Sequence, residues 1–292
     1  MQQGSHAGAA VVGARGFLGS ALVETLHRRD IPVVEYTRDR PYRAGDVLDA
    51  GFDSVRTVVW CASSINPYLA SQHPELVEAD RVEFARFLQS LEHAGTAARV
   101  VLVSSGGTVY GDAEPPHSET TVPRPTSAYG HAKLTLERML HEARPSSVVV
   151  RVANAYGPGQ PAAPGQGVVG HWLRALVRDE PVTVYGTLDT VRDYVYVDDI
   201  AAALVAVHEH TSDVPSVLNV GSGRPTSLAE LVEVVQHVAA PHRLQVTRLP
   251  GRPFDLAASW LSVDLARRSL GWEARTSLVD GVRAAWEWVS LA

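Results

Sequence analysis

The sequence predicts an α/β protein built on a doubly wound parallel sheet, with a smaller C-terminal α/β domain beside it. Three observations carry this expectation. Short runs rich in β-branched residues alternate with longer amphipathic stretches through the first half of the chain. A glycine-rich turn follows the first of those runs. A Pro/Gly/Gln-rich stretch then separates this half from a second half of mixed pattern.

Strands are expected near Ala9–Val12, Pro32–Tyr36, Thr57–Cys61 and Arg99–Ser104, with helices between most of them. Strand-helix-strand repeats of this kind set parallel strands side by side and cover them with helices. From Pro74 to Ala94, Leu76, Val77, Phe84, Phe87, Leu88 and Leu91 recur near helical spacing, which suits a packing helix. A helix around Ser127–Glu142 leads into a strand at Val148–Val152. Asn154-Ala-Tyr-Gly-Pro-Gly159 then opens the stretch that runs to Gly167, and the domain boundary is expected there. Residues 1–160 make up the first unit, and 161–292 mainly the second. Further helices are expected near His171–Arg178, Asp199–His208, Leu228–Val238 and Asp280–Trp288. An apolar strand at Ser216–Val220 is expected to return to the first sheet, so 198–222 would join the first unit and the domains would interleave.

The chain has 292 residues, enough for a sizeable core, and its 26 basic and 32 acidic residues give a net charge of −6. No global positive field draws nucleic acid or an anionic membrane, so any anionic ligand must be held by local groups. The apolar runs Val100–Val103 and Ser147–Val150 fall far short of the roughly 20 residues that span a bilayer. Met1–His6 reads as a polar extension without a secretory pattern, and a cytoplasmic location is expected. The single cysteine, Cys61, lies in an apolar run and reads as a buried thiol. The 12 histidines are scattered, and Asp198-Asp199 ahead of a helix reads as an N-cap, so no metal site is expected.

Gly13-Ala-Arg15-Gly16-Phe17-Leu18-Gly19 follows the first strand directly and opens an amphipathic helix. Glycine permits a tight turn and close backbone approach, while a helix N-terminus offers unpaired N–H groups to a pyrophosphate. A plain strand-to-helix turn uses glycines too, but this placement favours a dinucleotide cofactor. At the end of the second strand the chain reads Glu35-Tyr36-Thr37-Arg38. A carboxylate there would accept from a ribose 2′-hydroxyl, whereas arginine pairs with a 2′-phosphate. Arg38 therefore favours NADP(H), with NAD(H) left open if Glu35 meets the ribose and Arg38 is a solvated charge beside Arg40 and Arg43.

Val101-Leu-Val-Ser104-Ser105-Gly106-Gly107-Thr108-Val109-Tyr110-Gly111 is followed by Tyr129-Gly-His-Ala-Lys133. Residues i and i+4 of a helix share a face, so phenol and ammonium can converge on one small volume. A free tyrosine keeps its proton up to about pH 10, and a nearby positive charge eases its exchange at neutral pH. Tyr129 is thus the candidate general acid/base, and Lys133 the group that supplies charge and bonds a cofactor ribose. A Y-x-x-x-K alone usually marks an exposed helix face; its company here is what gives it weight.

With these motifs in place, the chain resembles the extended short-chain dehydrogenases/reductases, specifically the nucleotide-sugar epimerase, dehydratase and reductase family, over nearly its full length. The resemblance implies a Rossmann-type first domain and a C-terminal domain that binds a nucleotide-sugar. By resemblance, Thr37 stands where NAD-dependent relatives carry aspartate. Asp46-Val47 would contact adenine, and Ala62-Ser63-Ser64 would form the loop over the pyrophosphate, with Ser64 towards the substrate; a strand edge and a polar turn are the bland alternatives. Asn154, Val168, Arg192 and Arg252 would meet the substrate, the arginines at its pyrophosphate, while Tyr185 packs on the base and Asp255 meets the nucleoside. An Arg192–Asp193 ion pair, a capping Asp255 and a core Tyr185 remain open.

One departure stands out. Relatives carry Ser or Thr four residues before the tyrosine of Val-Tyr-Gly, and this chain has Gly106 there. Thr108 is the first choice to supply the missing hydroxyl, because an extended backbone would put it on the same side as residue 106. Ser105 is the second choice; either could simply cap a strand end. Family dehydratases place Asp-Glu where this chain has Gly107-Thr108, and family decarboxylases have a glutamate in this segment, so neither reaction is expected. What remains is an NADPH-dependent 4-ketoreductase of a nucleotide-activated 4-keto-6-deoxy sugar. The alternative is an NAD-dependent 4-epimerase of UDP-glucose type. A dinucleotide sensor would need neither Tyr129 nor Lys133. The resemblance also implies a homodimer through the Pro74–Ala94 and Ser127–Glu142 helices.

Overall fold

The computed structural model describes residues 8–144, 146–162, 167–251 and 256–291. In chain order the first half comprises β1 (Gly8–Val12), α1 (Phe17–Arg28), β2 (Val33–Tyr36), β3 (Val55–Trp60), α2 (Pro67–Gln72), α3 (Pro74–His93), β4 (Arg99–Ser105), α4 (Gly106–Val109), α5 (Ala128–Ala143) and β5 (Val148–Val152). A small hairpin pairs Arg43–Ala44 with Val47–Leu48 after β2. The second half contains β6 (Asn154–Tyr156), α6 (Val168–Val177), β7 (Val182–Tyr185), β8 (Val191–Tyr196), α7 (Val197–Glu209), β9 (Val217–Val220), β10 (Pro225–Ser227) and α8 (Leu228–Val238). It ends with β11 (Val246–Leu249), β12 (Ala258–Ser259), α9 (Asp264–Leu270) and α10 (Leu278–Leu291).

Six strands form one parallel sheet in the order β9-β5-β4-β3-β1-β2. Its strands are apolar on both faces because each face is covered. Ala9, Val11, Val101, Val103, Val148 and Val150 point to the layer formed by α1, α7 and α9. Ala10, Val12, Val100, Leu102 and Val149 point to the other side, where α3 contributes Phe84, Phe87, Leu88 and Leu91, and α5 contributes Leu136 and Leu140. The sixth strand, β9, comes from the second half of the chain and pairs with β5. From β1 the chain goes to β2 on one side and to β3 on the other, which makes a topological switch point at their C-terminal ends.

A separate core joins α6, α8 and α10 to β7 and β8, with Trp172, Leu173, Leu231, Val235 and Val282 at its centre. Two sequence expectations change in this half. The helix expected from His171 begins at Val168, and α7 begins at Val197, so Asp198 and Asp199 lie in its first turn. Asp199 does not cap α7. Its carboxylate instead accepts from the backbone N–H groups of Arg275 (3.2 Å) and Thr276 (3.0 Å), tying the approach to α10.

Candidate active site

The switch point opens into a cleft of about 1100 Å³. Gly13, Arg15 and Gly16 form one wall, the end of β2 with Thr37, Arg38 and Asp39 a second, and Cys61, Ala62, Ser63 and Ser64 a third. Gly13 has φ +89° and donates to the Tyr36 carbonyl at 3.0 Å; a Cβ on it would lie 2.7 Å from the Ala62 nitrogen. At Gly19 a Cβ would run into the Gly13 carbonyl, so the turn closes only with glycine at both places. Gly16 caps α1 without a side chain, and the first turn has no acidic residue, leaving its N–H groups for an anion. This cradle fits a dinucleotide's pyrophosphate. Phe17 and Leu18 open the helix, and Phe17 reaches to within 3.9 Å of where a Cβ on Gly159 would stand, so the glycine turn meets the segment after β6.

Arg15 pairs with Asp39 across the mouth of the cleft, and Arg38 is exposed on its edge. Ser63 donates to Asp80 at 2.7 Å, and the Ser64 N–H donates to the same carboxylate at 2.7 Å, so α3 fixes the loop after β3. Asp46 and Val47 are not among the cleft-lining residues. They sit at the exposed tip of the hairpin, where Val47 is 72% exposed.

At the start of α5, Tyr129 is half-buried behind its N-cap, Ser127, which accepts from the Gly130 N–H at 3.1 Å. Lys133 is buried one turn on, with Nζ 5.5 Å from the Tyr129 ring centre. Cys61 faces the same region: burial pushes its thiol up to about 12, with the Lys133 charge pulling back. The residue as a whole is half-buried on the cleft wall and packs against the sheet core.

The backbone from Gly106 to Val109 is a helical turn, which overturns the alternation argument for Thr108. On a helical turn, residues i and i+3 share a face. Ser105 and Thr108 therefore converge, and the Thr108 hydroxyl donates to Ser105 Oγ at 3.0 Å. A Cβ on Gly130 would lie 2.7 Å from the Thr108 carbonyl, so this turn abuts the Tyr129 helix directly. Asn154 lies across from Gly107, 3.7 Å from where its Cβ would be, and donates to the Asp193 carbonyl at 3.0 Å. The space a side chain at 106 would occupy holds Leu261, whose Cδ1 would be 2.7 Å from such a Cβ.

Below this floor runs a buried polar chain. Glu137 accepts from Arg151 Nη2 at 2.6 Å and from Ser104, with both ion-pair side chains 6% exposed. The Arg151 guanidinium lies over the Tyr110 ring at 4.8 Å; Tyr110 stacks on His117 and donates to Asn219 at 2.7 Å. Asp193 is buried, and its carboxylate accepts from Ser222 N (2.8 Å), Ser222 Oγ (2.6 Å), Gly223 N (3.2 Å) and Leu261 N (3.3 Å). It binds the turn after β9 and seats Leu261, and among the described residues it forms no ion pair with Arg192. Arg192 donates to the Val191 carbonyl at 2.8 Å. Tyr185 ends the edge strand β7 and is 44% exposed, so it is not part of the core. Val168 opens α6 against that core. Arg252 and Asp255 lie outside the described residues.

The family model described as the NAD dependent epimerase/dehydratase family matches residues 9–221. The chain belongs to this family. It is an enzyme of the extended short-chain dehydrogenase/reductase type, and its family is NAD-dependent. This epimerase/dehydratase-family member is 26% identical over 310 aligned positions to the dTDP-4-dehydro-6-deoxyglucose reductase of Escherichia coli, covering 94% of this chain and 95% of that one. It is 28% identical to the UDP-glucose 4-epimerase of Mycolicibacterium smegmatis, covering 93% and 95%. Among solved structures, MoeE5 in complex with UDP-glucuronic acid and NAD superposes with a TM-score of 0.86 at 30% identity, over 96% of this chain and 98% of that chain.

Three residues of this family member escaped sequence reasoning. Asp39 stood next to Arg38 and was the most accessible to it. Asp80 lay on a helix read only for packing. Leu261 reaches Gly106 from a distant segment, and no local pattern signals that contact.

Proposed function

We propose that this enzyme is an NADPH-dependent 4-ketoreductase acting on a nucleoside-diphosphate 4-keto-6-deoxy sugar. The end of β2 carries this reading. By resemblance Thr37 stands where NAD-dependent relatives carry a carboxylate, and Arg38 is exposed at the same mouth as Arg15, whose guanidinium would have to leave Asp39. Paired guanidiniums suit a 2′-phosphate. A cofactor consumed in each turnover matches net reduction, and the relative that reduces a dTDP-4-keto sugar agrees with it.

Residues 1–160 with 198–222 would form the cofactor unit, and 161–292 mainly the sugar-nucleotide unit. When bound, the reduced dinucleotide supplies a hydride. Tyr129 gives its phenolic proton to the C4 oxygen as the carbonyl becomes a carbinol, and the Lys133 ammonium stabilises the phenolate left behind. The Thr108–Ser105 hydroxyl pair holds the C4 oxygen in place of the residue-106 hydroxyl of relatives. Asn154, Val168, Tyr185 and Arg192 would seat the nucleotide-sugar, together with Arg252 and Asp255. Two copies would pair through α3 and α5.

One observation favours a second reading. Asp39 lines the cleft two residues beyond Thr37 and could accept from ribose hydroxyls once it releases Arg15, which suits NAD and a 4-epimerase. Assays on purified protein separate the two. Stoichiometric NADPH consumption with a dTDP-4-keto-6-deoxy sugar is the expected result. Tightly retained NAD with UDP-glucose/UDP-galactose interconversion would sink the reductase. Tyr129→Phe is expected to lower kcat about a hundredfold or more; near-normal turnover would refute the assignment.

A further inference from the structure

All six sheet strands begin at the edge opposite the cleft, where a second cavity of about 630 Å³ opens. Arg56 near the start of β3, Arg99 at the start of β4, Arg144 after α5 and Ser147 before β5 line it, together with Asp213. Backbone carbonyls hold the three guanidiniums. Arg56 donates to His208 (2.5 Å), Arg99 to Val207 (2.7 Å), His210 (2.9 Å) and Ser212 (3.1 Å), and Arg144 to Thr96 (2.8 Å) and Ala98 (3.1 Å).

Two of these arginines also cap the end of α7, which is a structural role. Carbonyl dipoles orient a guanidinium, but they do not neutralise it. Among the described residues, none of the three lies within ion-pair distance of a carboxylate. Asp213 supplies the one negative charge on the wall against three positive ones. Burial lowers Arg99 below the ordinary guanidinium range, and the neighbouring Arg56 charge lowers it further, so like charges crowd here. Burial also lowers Arg144. Ser147 is 3% exposed, and its hydroxyl has no hydrogen-bond partner among the described residues. That oxygen is itself shut off from the cavity, so the guanidiniums alone face the space.

We propose that this cavity is a binding site for an oxyanion of the phosphate class, gripped by Arg56, Arg99 and Arg144. Planar guanidinium forks match tetrahedral oxyanions through paired bonds. The site is separate from the cofactor cleft, since β4 runs from Arg99 here to Ser105 beside the chemistry, a span of about 20 Å. It stands independently of the activity proposed above.

Isothermal titration of inorganic phosphate into the full-length protein, with NAD or NADP at saturation and ionic strength held by chloride, tests it. Saturable binding is expected, weakened about tenfold or more by Arg144→Gln or Arg56→Gln, the loss of one charge-assisted contact. Absence of saturable binding, abolition by saturating dinucleotide, or wild-type affinity in both variants would overturn the proposal.

Discussion

Leu261 occupies the space that a side chain at position 106 would need. A Cβ there would sit 2.7 and 3.0 Å from the two Leu261 methyl carbons and 3.2 Å from the Arg151 carbonyl. Gly106→Ser should therefore destabilise by about 1–3 kcal/mol through overpacking, and Leu261→Ala by about 2–5 kcal/mol through a cavity. Urea unfolding of the double variant should give less than the sum of the two, because each change makes room for the other. Strict additivity would show that the residues do not compete for one space. The missing hydroxyl was legible in the sequence as a departure from a pattern, but its cause was not. Leu261 is brought to position 106 by its N–H bond to Asp193 and by the bridge its segment makes with His117, and no local periodicity encodes that contact. The roles expected of Thr108 and Ser105 rested on an extended backbone. Gly106-Gly107 bends into a helical turn past the end of β4, and this joins the two hydroxyls instead of separating them.

Helix α5 presents Tyr129, Lys133 and Glu137 at intervals of four, so the helix that carries the candidate acid/base is pinned from its inner face. Glu137 is the pin, closing a buried ion pair with Arg151 of β5 and accepting from Ser104 of β4. Removing one partner of a buried pair strands the other charge, which typically costs about 3–5 kcal/mol. Glu137→Ala should lose that much in urea unfolding. Glu78→Ala, which breaks a solvent-exposed pair with Arg81, should leave the unfolding midpoint close to wild type. Equal losses would mean that the buried pair is not what fixes the helix. The sequence revealed this element because its spacing is local. The partner strand supplying Arg151 lay beyond the reach of helical periodicity.

Across the whole molecule, buried ionisable groups give stability opposing dependences on pH. Burial lowers the pKa of His117, which is fully buried against Tyr110. An unfolded histidine takes its proton near pH 6.5, before the buried one does, so this term is fully present above about pH 6.5 and is lost as pH falls below it. Glu119 and Asp193 are raised by burial, so the folded chain takes their protons first and their contribution runs the other way. The comparison must therefore be with a variant: between about pH 7 and 5.5, wild type should lose more stability than His117→Gln. Parallel loss would exclude His117 as the source. At this scale the sheet was largely legible, because strands covered on both faces read as continuous apolar runs. The hairpin tip at Asp46-Val47 was not, since a short polar segment carries no signal of which way it leans. The placement of β9 has a consequence for synthesis. Until residues 217–220 emerge from the ribosome, the valine-rich strand β5 has an unsatisfied edge, with open N–H and C=O groups on a growing chain. The first half cannot finish folding before much of the second is made, and a chain stalled between them exposes a surface ready to pair with any neighbouring strand.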